Sequence, residues 1–336
     1  MKLPLPIPET PPAAQRTCYG RSRITHHASR ITRHAFSLVE ILVTVALLSF
    51  IILGLVAMFS QVQRAFRTSM NQVDQLEAGR AVTEMLPREL EQMIPSGRPG
   101  QYAFNFYSQI LRSKPLTQSL PGTAVLRTNL LADCFMLLRE NQNWRGIGYC
   151  VRTNDINGRL WFPEVQPGNP GQMGVGSLYR FETNLPVLYP HGHPKSGLPQ
   201  DPSSLYIAFQ AACIPGSAAI SNRICDGVIH FRFRAFDTNG MLLLPPGRPG
   251  RIVTQSSASV AYPEIGLYQF SSNAVPASVE MELGIIEQHA WERYLSIGAP
   301  AARLNYLRSA DFYISSRVHL FRQRIPIRNF DPSAYQ

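Results

Sequence analysis

The sequence predicts an α+β chain: a long N-terminal helix whose first part is apolar enough to span a membrane, then a mostly antiparallel β domain with long loops. Three observations predict it. Residues 36–59 contain one charge, Glu40, and no proline; as a helix rising about 1.5 Å per residue they would cover roughly 36 Å, enough to cross a bilayer core. Val62, Phe66, Met70, Val73 and Leu76 then recur at three- and four-residue steps, one apolar stripe on a continuing helix. Beyond residue 100 the pattern changes to short β-like runs broken by Pro, Gly and Asn.

Composition bounds the class. Hydrophobic residues make up 45% and charged residues 16% of the 336, a globular balance that excludes a disordered chain and a multi-span membrane protein. The net charge of +10 suggests a nucleic-acid partner until its distribution is read. Residues 1–35 hold Lys2, Arg16, Arg21, Arg23, Arg30 and Arg33 against the single acid Glu9, so the rest of the chain carries only +5. No basic run with interleaved aromatics remains there, and a nucleic-acid surface is not expected.

Residues 1–15 are proline-rich and without hydrophobic period. Ser22-Arg-Ile-Thr-His-His-Ala28 is then nearly copied as Ser29-Arg-Ile-Thr-Arg-His-Ala35, a basic segment read as a leader rather than a fold. At Phe36 the apolar run begins, and no small-residue signal-peptide site follows it. The helix is expected over 36–94, membrane-spanning over 36–59 and amphipathic over 60–94. Pro87 would kink it or begin a new helix, and Pro95-Ser-Gly-Arg-Pro-Gly100 ends it. An exported α+β domain is expected over 95–336. Its clearest β-like runs are 134–138, 144–151, 178–182, 205–210, 228–236 and 278–283. Phe231, Phe233 and Ala235 alternate with Arg232 and Arg234, as in a half-buried antiparallel strand, and Asp237-Thr-Asn-Gly240 supplies a turn. Residues 158–176 and 185–202 read as long surface loops, and 287–297 and 300–309 as short helices.

Cys18 lies in the basic segment; Cys134, Cys150, Cys213 and Cys225 lie in the expected domain and form no Cys-x-x-Cys pair, which removes the zinc-ribbon and thioredoxin-like readings. Four cysteines permit two disulfides. Sequence neighbours give Cys134–Cys150 and Cys213–Cys225 as the simplest of three connectivities, with buried free thiols as the alternative. Catalytic signals are thin. His191-Gly-His193 sits among prolines without a third ligand and reads as a solvated loop rather than a metal site. Gly171, Gly174 and Gly176 have the wrong order for a dinucleotide loop. Asp133, Glu140 and Glu182 read as surface charges, and no Gly-x-Ser-x-Gly elbow occurs. Neither an enzyme activity, a cofactor, a metal nor a small-molecule substrate is expected.

The informative stretch is Ala35-Phe-Ser-Leu-Val-Glu-Ile-Leu-Val-Thr-Val-Ala-Leu-Leu48. It resembles the type IV prepilin N-terminal motif: a basic leader, Phe at the boundary, Glu four residues on, then an uninterrupted apolar helix. Ala35 stands where glycine is usual. The resemblance implies a type IV pilin-like fold, cleavage by prepilin peptidase between Ala35 and Phe36, N-methylation of the new Phe36 amine, and a role in subunit assembly for Glu40. The physics agrees, since a carboxylate in a spanning helix costs roughly 2.5–3.5 kcal/mol unless paired or at the interface. The Phe36 amine of a neighbouring subunit would pair with it; the alternative is that Glu40 snorkels to the cytoplasmic interface.

Orientation follows from charge: the basic residues before Phe36 keep the N-terminus cytoplasmic and send the C-terminal domain into the periplasm, as a single-pass inner-membrane protein. Within the prepilin class, the strand ending Ala235-Phe-Asp-Thr-Asn-Gly240 is similar to the aromatic strand and Asp-x-x-Gly turn of the minor pseudopilin J family of type II secretion systems, with Met241 where tryptophan often follows. Asn273-Ala-Val-Pro-Ala-Ser-Val-Glu-Met-Glu-Leu283, residues 147–151 and Leu178-Tyr-Arg-Phe-Glu182 resemble further strands of that family. It implies a non-enzymatic subunit that primes or caps a pseudopilus, with prepilin peptidase, other major and minor pseudopilins and the inner membrane as partners. A minor pilin of a type IV pilus, a prepilin-like envelope protein outside secretion and a single-span anchored enzyme are the alternatives.

Overall fold

The first helix begins at Ser37. Its hydroxyl accepts from the Glu40 amide at 3.2 Å, answering one of the first turn's free donors, and its carbonyl takes the first helical hydrogen bond from Ile41 at 3.2 Å. Ser37 and Glu40 have capping-box spacing, and Glu40 lies in the first turn, where the helix dipole favours negative charge. The helix, α1, runs Leu38–Glu91 as one element of 54 residues. The computed structural model describes residues 37–98, 102–110, 116–119, 126–154, 159–163, 174–217, 222–243, 252–256, 265–309 and 318–335. Residues 1–36, with the expected leader, lie outside them. Chain contacts divide the protein after Gln61, with a second unit from Val62 to Gln336.

Up to Gln61, α1 exposes its side chains on all sides. Its few hydroxyls fold back onto helix carbonyls: Thr44 onto Ile41 at 2.9 Å, Ser49 onto Val45 at 2.8 Å and Ser60 onto Ala57 at 2.7 Å. This satisfies polar groups that an apolar medium would otherwise leave bare.

In the second unit, twelve strands follow among the described residues: β1 (Phe104–Ile110), β2 (Leu116–Ser119), β3 (Leu126–Asn129), β4 (Ala132–Glu140), β5 (Asn143–Asn154), β6 (Leu160–Trp161), β7 (Gly176–Pro186), β8 (Asn222–Phe236), β9 (Ile252–Ser256), β10 (Ile265–Ser271), β11 (Ser278–Ile286) and β12 (Val318–Pro326). Among the described residues ten form one sheet in the order β12-β11-β8-β7-β5-β4-β1-β10-β9, with β6 on β5, while β2 and β3 pair alone. Among the described residues these strands pair antiparallel throughout, with an isolated parallel bridge from Leu131 to Phe231 of β8.

The two-residue period of the strands decides the layers. Cys134, Met136 and Leu138 of β4 join Ile147, Tyr149 and Val151 of β5 in the core shared with Val82, Leu86, Leu90 and Met93. The first three recur at steps of four on one helix face and Met93 follows just past the helix end, bridged to Leu138; each of the four is fully buried and contributes roughly 1.5–3 kcal/mol. Gly79 extends the contact, since a Cβ there would lie 2.3 Å from the Phe321 ring of β12. Pro87 neither kinks off a separate helix nor stops this one. It forfeits one helical hydrogen bond, but Leu86 and Leu90 on either side are held by the sheet, and the helix continues to Glu91.

The opposite face of β4 and β5 carries Phe135, Leu137 and Cys150 against Leu205, Tyr206, Phe209 and Cys213. Here the structure corrects the sequence reading. Residues 205–210 are not a strand but the middle of helix α2 (Ser203–Cys213), whose buried positions Leu205, Tyr206, Phe209, Ala212 and Cys213 follow the helical period. The helix lies so close to β5 that a Cβ on Gly148 would sit 2.1 Å from the Phe209 ring, and one on Gly146 2.9 Å from Leu205 Cβ. Two further helices, α3 (Gln288–Ser296) and α4 (Pro300–Arg308), fall where expected, burying Trp291, Tyr294 and Leu307 with Ile229 and Ile286. The expected loop at 185–202 begins only after β7 ends at Pro186, and its arms are tied by Tyr189 to Leu198 at 2.9 Å and Gln200 to Val187 at 2.7 Å.

Candidate functional site

Ala35 and Phe36, the expected cleavage and methylation residues, lie outside the described residues. Glu40 is described: it is exposed, in the first turn of α1, and the next charge along the helix is Arg64. Leu38–Phe66 is a stretch of 29 residues long and apolar enough to cross a membrane, none of its apolar window buried.

The stripe read from the sequence is also exposed. Phe66 and Met70 are 65% and 67% accessible, with Val62 and Val73 also on the surface; the Leu76 side chain lies outside the description. At 3.6 residues per turn these four fall on roughly the opposite side of α1 from Val82, Leu86 and Leu90. The helix therefore has two apolar faces in succession: one packed on its own sheet, the other without a covering element among the described residues.

The packed face is mounted by charge as well as by apolar area. Glu89 of α1 meets Arg180 of β7 and the Tyr149 hydroxyl of β5, and Arg180 passes on to Glu182 at 2.5 Å, which meets Arg145 at 2.7 Å. Burial, with the Glu89 carboxylate beside it, pushes the Tyr149 hydroxyl far up, so it stays a donor. The hydrogen bond from Arg145 holds the Glu182 carboxyl below its usual range. At the end of the helix Arg328 reaches Glu91 at 2.6 Å, and just past it Asn329 donates to the Met93 carbonyl at 3.1 Å.

A second charged array crosses β8, β11 and β12. Glu280 lies opposite Arg234 and Arg324, and Glu282 opposite Arg232 and Arg322. Arg322 reaches Glu280 at 2.9 Å and Arg234 does so at 3.2 Å. His230 is buried beside them, its Nδ1 accepting from the Leu130 amide at 3.1 Å and its Nε2 lying 3.3 Å from Glu282. The expected turn after β8 forms: Asp237 accepts from the amides of Asn239 at 2.9 Å and Met241 at 2.8 Å, while Gly240 takes a left-handed φ of 76°.

The remaining sequence candidates are not brought into one site. His193 stacks on Tyr189 with centroids 4.5 Å apart in an exposed loop. Gly174 and Gly176 lead into β7, and Gly171 lies outside the described residues. Asp133 forms a bidentate pair with Arg152 at 2.8 and 2.7 Å, Glu140 lies 3.6 Å from Arg145, and Glu182 belongs to the helix mount. Two of the three carboxylates read as surface charges are thus structural ion pairs. Among the described residues no group of His, Cys, Asp or Glu is arranged to hold a metal. Cys134, Cys150, Cys213 and Cys225 are buried free thiols. The pairing of sequence neighbours is not what the fold brings together, because Cys150 meets Cys213 instead.

Sequence reasoning missed Glu89, Arg180 and Arg152. Glu89 stood among the polar residues flanking Pro87, and nothing local marks it as facing a sheet nearly a hundred residues away. Arg152 carried a usable signal: it ends the apolar run Ile147-Gly-Tyr-Cys-Val, and an arginine continuing a fully buried strand needs a carboxylate. No protein-family model, curated protein or solved structure matches this chain.

Proposed function

We propose that the chain is a minor pseudopilin-like structural subunit, processed by prepilin peptidase between Ala35 and Phe36, that primes or caps a pseudopilus for protein secretion across the cell envelope. The observation that carries this reading is Glu40: a single exposed carboxylate in the first turn of a helix that then stays uncharged until Arg64. In a bilayer such a group needs a cation, and an amine freed at Phe36 of a neighbouring subunit supplies one. The rest of α1 supports the same role. Its lower apolar face is taken up by its own sheet, whereas the stripe of Val62, Phe66, Met70 and Val73 is left for other subunits. In this reading the N-terminus stays in the cytoplasm and the sheet domain in the periplasm, held by one inner-membrane helix.

The test is the mature N-terminus. Mass spectrometry of the protein from membranes of cells containing prepilin peptidase should give a chain beginning with N-methyl-Phe36, and only with the peptidase present. An intact Met1, or a cut near Met58, overturns the reading.

A further inference from the structure

The four buried cysteines are sorted by the sheet. Cys134 of β4 and Cys225 of β8 lie in the core on the α1 side, whereas Cys150 of β5 and Cys213 of α2 lie in the core on the other side. Strand register makes the separation firm. Cys134 is paired with Tyr149, so Cys150, the next residue, points through to the opposite face. Cys225 is paired with Leu178 on the α1 side. Cys134–Cys150 and Cys213–Cys225 would each have to pass through the sheet.

Cys213, by contrast, is the last residue of α2 and lies over β5, its Sγ 3.0 Å from Cys150 Sγ. The end of the helix is fixed there by Arg152, whose guanidinium donates to the Cys213 carbonyl at 3.1 Å while held in both oxygens of Asp133. Arg152 is only 1% accessible, so this anchor does not wander. The two sulfurs are neighbours because a buried, paired arginine places the helix terminus.

We propose that Cys150 and Cys213 are a disulfide-forming pair that clasps α2 to β5, while Cys134 and Cys225 remain thiols. The chemistry is exchange with a dithiol oxidant in its disulfide form. One cysteine thiolate attacks a sulfur of the oxidant, breaking its S–S bond and releasing one oxidant thiol. The second cysteine thiolate attacks the mixed disulfide, forming the Cys150–Cys213 bond and releasing the other thiol. Two electrons and the two cysteine protons end on the oxidant. Both sulfurs are buried once α2 is seated, at 0% and 6% accessibility, so exchange takes place before α2 docks. The same burial then shields the finished bond from reductants. The pairing does not depend on the secretory reading, although export would supply the oxidant.

The test is a peptide map of the full chain, refolded from denaturant into detergent with a mixture of reduced and oxidised glutathione, alkylated and cut with trypsin. The four domain cysteines fall in four separate fragments, 128–139 with Cys134, 146–152 with Cys150, 196–223 with Cys213 and 224–232 with Cys225, apart from 17–21, which holds Cys18. The expected product is 146–152 linked to 196–223, lost on reduction, with the other two fragments alkylated. Oxidised protein should melt roughly 5–10 °C higher than reduced. Alkylation of all four cysteines, or a link involving 128–139 or 224–232, overturns the proposal. Cys213→Ser supplies a second arm: Cys150 should then be alkylated, and a new link from 146–152 to 128–139 also overturns it.

Discussion

Arg180 on β7 donates two hydrogen bonds to one carboxylate oxygen of Glu89 on α1, from Nε at 3.0 Å and from Nη2 at 2.7 Å, while the Tyr149 hydroxyl takes the other oxygen. Both charged side chains are nearly buried, at 12% and 13%. Removing one partner therefore strands the other in a poorly hydrated place. Glu89→Ala should cost roughly 3 kcal/mol, read as a lower urea midpoint for the full chain in detergent. Glu89→Gln should cost less because it keeps an acceptor for Arg180. Equal stability of the Ala variant and the parent would mean that apolar contact alone mounts the helix.

The exposed stripe gives the opposite expectation. Phe66→Asp and Met70→Asp change residues that are 65% and 67% accessible, so stability should move by no more than about 0.5 kcal/mol. On the proposed assembly role, co-purification with partner subunits should nevertheless fall sharply, since each change puts a charge where an apolar helix face would pack. Unchanged co-purification with an unchanged melting point would remove the stripe from the assembly surface.

Acid should loosen the domain in two stages. Burial holds His230 below its usual 6.5, and Arg127 and Arg232 oppose its protonation further, against the pull of Glu282. The His230 hydrogen bond, with Arg234 and Arg232 near it, holds Glu282 at about 2 against 4.5. In both cases the unfolded chain binds the proton more readily, so stability falls as pH falls. It should be full above pH 6.5, decline first as pH drops below that value, and decline again from 4.5 toward 2. His230→Gln should flatten the first stage and narrow the second, because the His230 hydrogen bond that lowers the Glu282 carboxyl is changed with it. A melting curve series from pH 8 to pH 2 on the two proteins measures this; an unchanged slope between pH 6.5 and pH 5 in the variant would assign the first stage to another group.

Gly148 should not tolerate a side chain. A Cβ there would lie 2.1 Å from the Phe209 ring, and relief requires moving a buried aromatic or all of α2. Gly148→Val should destabilise by about 1–3 kcal/mol, even though valine is the better strand former. Pairing it with Phe209→Ala should return part of the loss, which a double-mutant cycle would read directly.

What the sequence reveals depends on whether the deciding contact is local. The apolar run after Phe36, the alternation from Phe231 to Ala235 and the Asp237 turn are written in adjacent residues, and the helix and strand form there as expected. Residues 205–210 mislead because Leu-Tyr-Ile-Ala-Phe is apolar and rich in strand formers over too short a window to separate the two periods. The longer spacing from Leu205 to Cys213 resolves it, but only once β5 is known to offer a flat, glycine-bearing surface. The opposed faces of α1 were half legible: the stripe from Val62 could be read, while its replacement by the Val82 face depends on where the sheet lies.

Ser37 has a consequence for how the chain can be handled. The Glu40 amide is capped by the Ser37 hydroxyl and the Ser37 carbonyl takes the first helical bond from Ile41, so the helix carries this part of its cap within itself. A cut before Phe36 would leave every one of those hydrogen bonds in place, and the severed end would arrive with its first turn already wound, one residue from a new positive charge.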